Sequence, residues 1–139
     1  MTTLVAVTFS QLIGATDPSK ADPESIRGQI AARFEELGLH GPCSTGANGV
    51  HASASPLEGL AEKMNWLQKP MVEESFGAAL LRNGLSEERV LQWCLDARVK
   101  VGAAAAESGQ AEEAGIFDTL EDMDAPACLT ESVRINALQ

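Results

Sequence analysis

Apolar residues follow two different periods along this chain. Residues 4–9 form a short apolar run rich in strand formers, which predicts one buried strand. Gly14 and the Asp17-Pro18 pair then favour a turn. After Asp22-Pro23, a pair typical of a helix start, apolar residues recur three and four positions apart. This spacing predicts a helix over 23–37 that Gly38 can end.

Three further helices are predicted before residue 99. The first has the strongest signal, because Ser55 and Glu58 form a capping box at the start of an apolar stripe over 56–67. The second lies over 72–83, and the third opens at Ser86. Their predicted buried faces are Val72, Phe76, Ala79 and Leu80 in one helix, and Val90, Leu91, Cys94 and Leu95 in the other.

The pattern is weaker toward the C-terminus. Residues 101–115 are rich in alanine but interrupted by glycines, so a marginal helix and a linker are both open. The following apolar residues stand among acids, as in a segment that lies on its own surface or on a partner's. Four of these acids suggest a divalent-metal cluster, but they lack the register of a calcium loop, and a solvated acidic face explains them more simply. They are Asp118, Glu121, Asp122 and Asp124.

The pattern as a whole predicts a helix-rich α+β protein. We expect one or two short strands near the N-terminus, four helices between Pro23 and Val99, and Trp66 and Trp93 as packing anchors. Residues 1–99 are predicted to form one segment, and residues 100–139 an Ala/Glu-rich linker with an acidic docking tail.

Composition narrows the classes of partner. Twenty acids against ten bases give the 139-residue chain a formal charge of −10, which argues against a nucleic-acid partner. No apolar run approaches the roughly 18 residues that span a bilayer. The three cysteines are odd in number and widely spaced, so neither a disulfide framework nor a zinc site is indicated. We expect a soluble protein in a reducing intracellular compartment, cytoplasmic with an organelle left open.

His51 is the strongest candidate for chemistry. It lies in a short polar turn of small residues, just before the helix that carries Glu58 and Glu62. A neutral imidazole is a competent nucleophile near neutral pH, and a carboxylate on its other ring nitrogen would fix the tautomer. The other histidine, His40, lies in the glycine-rich loop and is interpreted as a plain loop residue.

Four fragments together resemble the second half of a nucleoside-diphosphate kinase. They are G-A-T-D-P at 14–18, P-E-S-I-R-G at 23–28, N-x-x-H-x-S-x-S at 48–55, and the glutamate at 62. Their order and the spacings from Thr16 to Arg27 and from His51 to Glu62 match the family. The resemblance covers residues 10–67, less than half of the chain.

The resemblance implies a role for each matching residue. His51 would accept the γ-phosphate of a nucleoside triphosphate and pass it to a diphosphate, with Glu62 holding its ring. Thr16 and Arg27 would bind phosphate oxygens, Asn48 would contact the sugar, and Ser53 would support the site. Magnesium would arrive with the nucleotide.

Several departures from the family pattern oppose independent activity. The family's opening strand with its phosphate-binding lysine and its base-binding aromatic residues have no match in this sequence, which holds no tyrosine. Ser10 stands where the family has a second phosphate-binding arginine, and about eleven extra residues separate Arg27 from His51. The resemblance therefore implies a partial ferredoxin-like domain with C-terminal helices, rather than a complete sheet.

Two functions follow as hypotheses. In the first, the protein transfers phosphoryl groups through His51 when another chain or an unexpected fold completes the nucleotide pocket. In the second, it is an inactive structural or adaptor subunit that docks into a larger assembly with other protein subunits. Under the second hypothesis His51 is a relic or a turn histidine, and Arg27 forms a surface ion pair with Glu24 or a later acid.

Overall fold

The protein is described by a computed structural model that covers residues 9–102 and 112–139. This part of the chain contains seven α-helices and a two-stranded antiparallel sheet, so the helix-rich α+β class is confirmed. The helices are α1 (Phe9–Ile13), α2 (Ile26–Ala32), α3 (Pro56–Leu67), α4 (Ser75–Arg82), α5 (Glu87–Trp93), α6 (Ile116–Leu120) and α7 (Ala125–Asn136). The strands are β1 (Arg98–Lys100) and β2 (Glu113–Gly115).

Four α-helices lie between Pro23 and Val99, as predicted. Residues 4–8 of the predicted strand at 4–9 fall outside the described residues, and Phe9 begins α1 instead of ending a strand. Both named strands instead lie in the C-terminal part of the chain. No helix in the described ranges has the length and apolar character needed to cross a membrane.

The chain divides into two compact units, Met1–Ala52 and Ser53–Gln139. The first includes α1 and α2, and the second contains α3 to α7 and both strands. The division into 1–99 and 100–139 stays a prediction. Each unit is described separately below.

In the first unit, α2 begins later and ends earlier than its apolar pattern predicts. Ser25 is its N-cap and accepts a hydrogen bond from the Gly28 amide at 3.2 Å, while Asp22 stabilises the preceding turn through the Glu24 amide. The α-helix ends at Ala32, and a further turn closes at Gly38, whose φ of +72° is readily adopted by glycine. Gly38 therefore ends the helical segment as predicted, but the segment is not one continuous α-helix.

In the second unit, α3 matches its predicted limits closely. Ser55 Oγ accepts a hydrogen bond from the Glu58 amide at 3.2 Å, and the Glu58 carboxylate in turn accepts one from the Ala54 amide. Leu57 and Leu60 point into the core with 0% and 2% of their surface exposed. A capping box followed by an apolar stripe thus fixes both the start and the buried face of this helix.

The hydrophobic core of the second unit joins residues far apart in sequence. Helix α4 packs against α3, α5 and α7, and α6 packs against α3 and α7. The core side chains that are completely buried come from both halves of this unit. They are Leu57, Leu80, Val90, Trp93, Ile116, Leu120, Cys128 and Ile135.

The C-terminal segment is part of this hydrophobic core. Ile116, Leu120, Cys128 and Ile135 are each 0% exposed and belong to the same core cluster as Leu57 and Leu80. Full burial of one such side chain contributes about 1.5–3 kcal/mol. The apolar residues of the tail therefore lie on the protein's own core, which is one of the two surfaces the sequence left open for them.

Several predicted buried positions are wrong. Val72 lies in a 3-10 turn before α4 and is exposed, while its neighbour Met71 is buried in its place. In α5, Val90 is buried as predicted and Trp93 is buried beside it, while Leu91 and, in the turn after the helix, Leu95 are exposed. Trp93 is thus the expected anchor, but Trp66 is 75% exposed. In helices of seven or eight residues the apolar pattern is too short to fix which face turns inward.

Strands β1 and β2 form a short antiparallel ladder in which Val99 pairs with Ala114. Val99 is buried, and Arg98 and Glu113 are exposed. The side-chain amide of Gln139 forms two hydrogen bonds with the backbone of Lys100, accepting from its N–H at 3.3 Å and donating to its carbonyl at 3.2 Å. The residues after α7 are thereby tied to the sheet.

Candidate functional site

Arg27 is the central side chain of the candidate site in the first unit. Its Nη1 donates to the Gly14 carbonyl at 2.7 Å, and its Nη2 donates to the Val50 carbonyl at 3.0 Å. The residue is only 8% exposed, so the interpretation of Arg27 as a surface ion pair is wrong. Its guanidinium instead joins the turn before Thr16 to the segment that leads into His51.

Asn48 links the same two segments. Its Nδ2 donates to the Thr16 carbonyl at 3.0 Å and to the Thr45 carbonyl at 3.2 Å, and its Oδ1 accepts from the Val50 amide at 3.2 Å. The side chain is 9% exposed. The three fragments that carry the resemblance in this unit are therefore close together in space as well as ordered in sequence.

Local geometry allows these segments to approach. Gly14 has a φ of +88°, and an added Cβ would collide with the Ser25 side chain. Asp17 then accepts hydrogen bonds from the amide and the hydroxyl of Ser19, at 3.0 and 2.7 Å, which starts a 3-10 turn at Pro18–Lys20. Thr16 itself contributes its carbonyl, and its side chain lies in an exposed position.

His51 follows this hydrogen-bonded segment directly. Arg27 and Asn48 both hold the backbone of Val50, one residue earlier, and His51 is exposed to solvent. An exposed imidazole on a fixed backbone is accessible to a large donor such as a nucleotide. The role of His51 as a phosphoryl acceptor stays a prediction.

Ser53 and Glu62 lie in the second unit, where they contact each other. Ser53 Oγ donates to Glu62 Oε2 at 2.7 Å, across the first turns of α3. This bond fixes the Glu62 carboxylate near the start of the helix. The predicted hydrogen bond between Glu62 and His51 stays a prediction.

The cations of the first unit are largely engaged within it. Lys20 pairs with Asp17 at 3.4 Å, and Arg33 pairs with Glu36 at 2.7 Å, both on the surface. Arg27 donates both terminal nitrogens to carbonyls, and its buried Nε has no hydrogen-bond partner among the described atoms. The guanidinium still has N–H donors left, but Arg27 is only 8% exposed, so the chain that covers it has to move before a phosphate can bind.

The backbone acceptors of Arg27 could not be identified from sequence. Gly14 and Val50 contribute carbonyl groups, which every residue has, so no residue type marks them. The sequence marks only the close approach of the backbone segments, through Gly28 directly after Arg27 and Gly14 in the preceding fragment. An alanine at Gly28 would collide with the Asp22 carbonyl.

Two of the three cysteines, Cys94 and Cys128, are poor nucleophiles. Burial raises the pKa of the Cys94 thiol to about 11, and burial also raises the pKa of Cys128. Both are therefore overwhelmingly protonated at neutral pH, and the protonated thiol is a poor nucleophile. This agrees with the expectation of reduced structural thiols.

Comparison with known proteins gives one partial similarity. The chain is 38% identical over 65 residues to nucleoside diphosphate kinase 2, chloroplastic, of Spinacia oleracea. The match covers 47% of this chain but only 23% of that protein, so the chain spans about a quarter of its relative's length. No family model matches the chain, and no solved structure matches it. A nucleoside-diphosphate-kinase-like region is therefore supported for part of the chain.

Proposed function

We propose that this protein accepts a phosphoryl group from a nucleoside triphosphate on His51, in the manner of a nucleoside-diphosphate kinase, when its nucleotide pocket is completed by another chain. The observation that carries the proposal is the exposed histidine on a segment held by Arg27 and Asn48. The partial similarity to a nucleoside diphosphate kinase supplies the reaction class.

The proposed reaction has two balanced steps. A ring nitrogen of His51 attacks the γ-phosphorus, the bond from that phosphorus to the β,γ-bridging oxygen breaks, and the nucleoside diphosphate leaves with its magnesium. The oxygen of a second diphosphate then attacks the phosphohistidine and frees the imidazole. In this scheme Glu62 orients the ring, and Thr16 and Arg27 contact phosphate oxygens.

The remaining residues have supporting roles in the proposal. Asn48 contacts the sugar, and Ser53 holds Glu62 through the 2.7 Å hydrogen bond already described. Because Arg27 and Asn48 are buried, the chain that covers them has to move when nucleotide binds. Magnesium enters as part of the nucleotide substrate.

A second candidate function is an inactive adaptor subunit. The observation that favours it is the engagement of Arg27, which is buried and donates to two backbone carbonyls rather than facing solvent. A residue that binds phosphate in a relative can persist as a structural clamp after catalysis is lost. In this alternative the first unit is a scaffold, and its partners are other protein subunits.

Phosphate labelling separates the two candidates. The protein is incubated with γ-labelled ATP and magnesium, and then treated with acid or base, because phosphohistidine is labile in acid and survives base. The proposal expects acid-labile label that His51→Ala abolishes. His40→Ala is the matched control, because it removes the only other histidine of the chain and leaves the label in place.

Two results would reject phosphoryl transfer through His51. One is labelling that persists in His51→Ala, and the other is an unlabelled wild-type protein both alone and with its copurified assembly. The second result would favour the adaptor.

A further inference from the structure

A groove in the second unit shares only Glu62 with the proposed reaction. It has a volume of about 560 Å³ and is lined by residues of α3, α5 and α6. Helix α3 contributes Glu58, Glu62 and Asn65, which are spaced four and three residues apart and share one face. Helix α5 contributes Leu91, and the turn that follows it contributes Leu95.

The apolar residues at this groove are unusually exposed. Leu95 is 84% exposed, Trp66 is 75% exposed and Leu91 is 44% exposed. Phe117 of α6 and Met64 of α3 also line the groove. An exposed group of large apolar side chains on a folded domain is typical of an interaction surface, and tryptophan is the residue most enriched at the centres of such surfaces.

The charge at the groove has one sign. Glu58 and Glu62 are the charged residues that line it, and no lysine or arginine is among the described residues that do so. Asp96 lies at its border, where its carboxylate accepts a hydrogen bond from the Phe117 amide at 3.2 Å. The groove therefore presents apolar side chains from α5 and α6 beside carboxylates from α3.

We infer that this groove binds a cationic amphipathic helix of a partner protein. Apolar residues of that helix, spaced three and four apart, would lie against Leu91, Leu95 and Phe117, and its lysines or arginines would face Glu58 and Glu62. Trp66 would cover the helix from the end of α3 and accept a cation on its ring face.

Charge complementarity selects this occupant over others. A second copy of the chain carries the same net charge of −10 and would be repelled by the carboxylates. A small apolar molecule would leave Trp66 and Leu95 largely uncovered, because both are open to solvent on their outer sides. A helix with one basic and one apolar face satisfies both kinds of lining residue.

A peptide titration tests the inference with the full chain. The probe is a labelled peptide of lysine and leucine, about 18 residues long so that it can form a helix, with leucines at positions i, i+3, i+4 and i+7. Binding is followed by fluorescence anisotropy and by the blue shift of Trp66 emission. A counterpart peptide has glutamate in place of every lysine.

The two variants for this test are Leu95→Asp and its control Leu67→Asp. Both leucines are exposed, at 84% and 63%, but only Leu95 lines the groove. We expect Leu95→Asp to weaken binding of the lysine peptide about tenfold and Leu67→Asp to change it less than about twofold. The glutamate peptide should not bind, and raising NaCl from about 0.05 to about 0.5 M should weaken binding of the lysine peptide.

Each contrary outcome assigns the groove differently. No binding of the lysine peptide, or equal effects of the two substitutions, overturns the inference. Self-association that Leu95→Asp abolishes would assign the groove to a second copy. Binding of 1-anilinonaphthalene-8-sulfonate that depends on Leu95, without peptide binding, would assign it to a small apolar ligand. Glu62 stays unchanged throughout, so the result is independent of phosphoryl transfer.

Discussion

At the scale of single residues, Arg27 shows how one side chain can hold two separate backbone segments together. Its planar guanidinium reaches the Gly14 and Val50 carbonyls in two directions at once. These bonds satisfy two backbone acceptors in a part of the chain with little regular structure. The order of the segment before His51 therefore depends on an arginine.

Arg27→Lys is expected to destabilise the protein by about 1–3 kcal/mol, because an ammonium group cannot donate to both carbonyls in the same geometry. Urea unfolding followed by circular dichroism measures the loss. Arg33→Lys is the control, since Arg33 lies on the surface and pairs only with Glu36 in an exposed position. A comparable loss in both variants would show that the bonds of Arg27 carry no special weight.

Glu74 gives a prediction for pH dependence. Its carboxylate, 9% exposed, accepts a hydrogen bond from Lys63 at 2.7 Å and pairs with Lys69 at 3.3 Å. The Lys63 hydrogen bond is the main cause that lowers the pKa of Glu74. A lowered pKa means that the contribution to stability is complete above the ordinary glutamate pKa of about 4.3 and is lost as the pH falls toward the folded value.

We therefore expect Glu74→Gln to flatten the fall in melting temperature below about pH 5 and to lower the melting temperature at pH 7. Thermal scans from pH 7 downward measure both effects. Glu73→Gln serves as the comparison, because Glu73 is an exposed neighbour in the same turn. If the melting temperature of Glu74→Gln falls below pH 5 as steeply as that of the wild type, the two lysines do not stabilise the charged carboxylate.

At the scale of elements, the surroundings of two helical glycines, Gly77 and Gly59, decide whether replacement by alanine destabilises or stabilises the protein. In α4, a Cβ at Gly77 would lie 2.5 Å from the Met71 carbonyl oxygen and 3.1 Å from Leu60 Cδ1. In α3, a Cβ at Gly59 would meet the Ser53 hydroxyl at an ordinary 3.5 Å. Gly77 allows α4 to lie close to Met71 and Leu60, whereas no element of the described chain lies that close to Gly59.

Gly77→Ala is predicted to destabilise the second unit by about 1–3 kcal/mol through overpacking, despite the higher helix propensity of alanine. Gly59→Ala is predicted to stabilise it by about 0.5–1 kcal/mol, because only the propensity changes there. Chemical denaturation of the two variants gives the comparison. Changes of the same sign would mean that the space around Gly77 relaxes freely.

The sequence predicts elements best where the signal is local. The start of α3 is marked by Ser55 and Glu58, and the structure confirms its cap and the burial of Leu57 and Leu60. Leu67, at the end of the same predicted buried stripe, is 63% exposed. Helix α5 has a cap at Ser86 but an apolar stripe of only a few residues. The sequence therefore predicts its buried face wrongly, and Leu91 and Leu95 are exposed. The pairing of β1 with β2 joins three-residue strands across a long separation, and no local pattern marks it.

The candidate site also contains residues that the sequence identifies and partners that it does not. Arg27 and Asn48 are selected by the resemblance to the nucleoside-diphosphate kinases, because each belongs to a fragment that matches the family's motifs. Their partners are backbone carbonyls, which have no residue-type signature. The internal use of these two side chains could therefore be learned only from the structure.

At the scale of the whole molecule, the C-terminal segment belongs to the core of the second unit. Helices α6 and α7 contribute completely buried side chains, among them Leu120 and Ile135. A domain is stable by only about 5–15 kcal/mol, so the loss of a few such contacts is enough to unfold it. The residues after 115 are therefore needed for folding, whatever else they bind.

Leu120→Ala is expected to cost about 2–5 kcal/mol, because it leaves a cavity among fully packed residues. Leu95→Ala is the matched control and should change stability by less than about 0.5 kcal/mol, since Leu95 is 84% exposed. Urea unfolding with tryptophan emission as the signal reports on the core through the buried Trp93. A mild effect of Leu120→Ala would show that the C-terminal helices pack only loosely.

The Gln139 amide has a consequence for how copies of this protein behave at high concentration. It hydrogen-bonds the N–H and the carbonyl of Lys100 as a neighbouring peptide group would, and so occupies the outer rim of a ladder only two strands wide. Unpaired rims of this kind recruit strands from other molecules and begin aggregates. We therefore expect the Gln139 side chain to hinder the pairing of a strand from another molecule with β1.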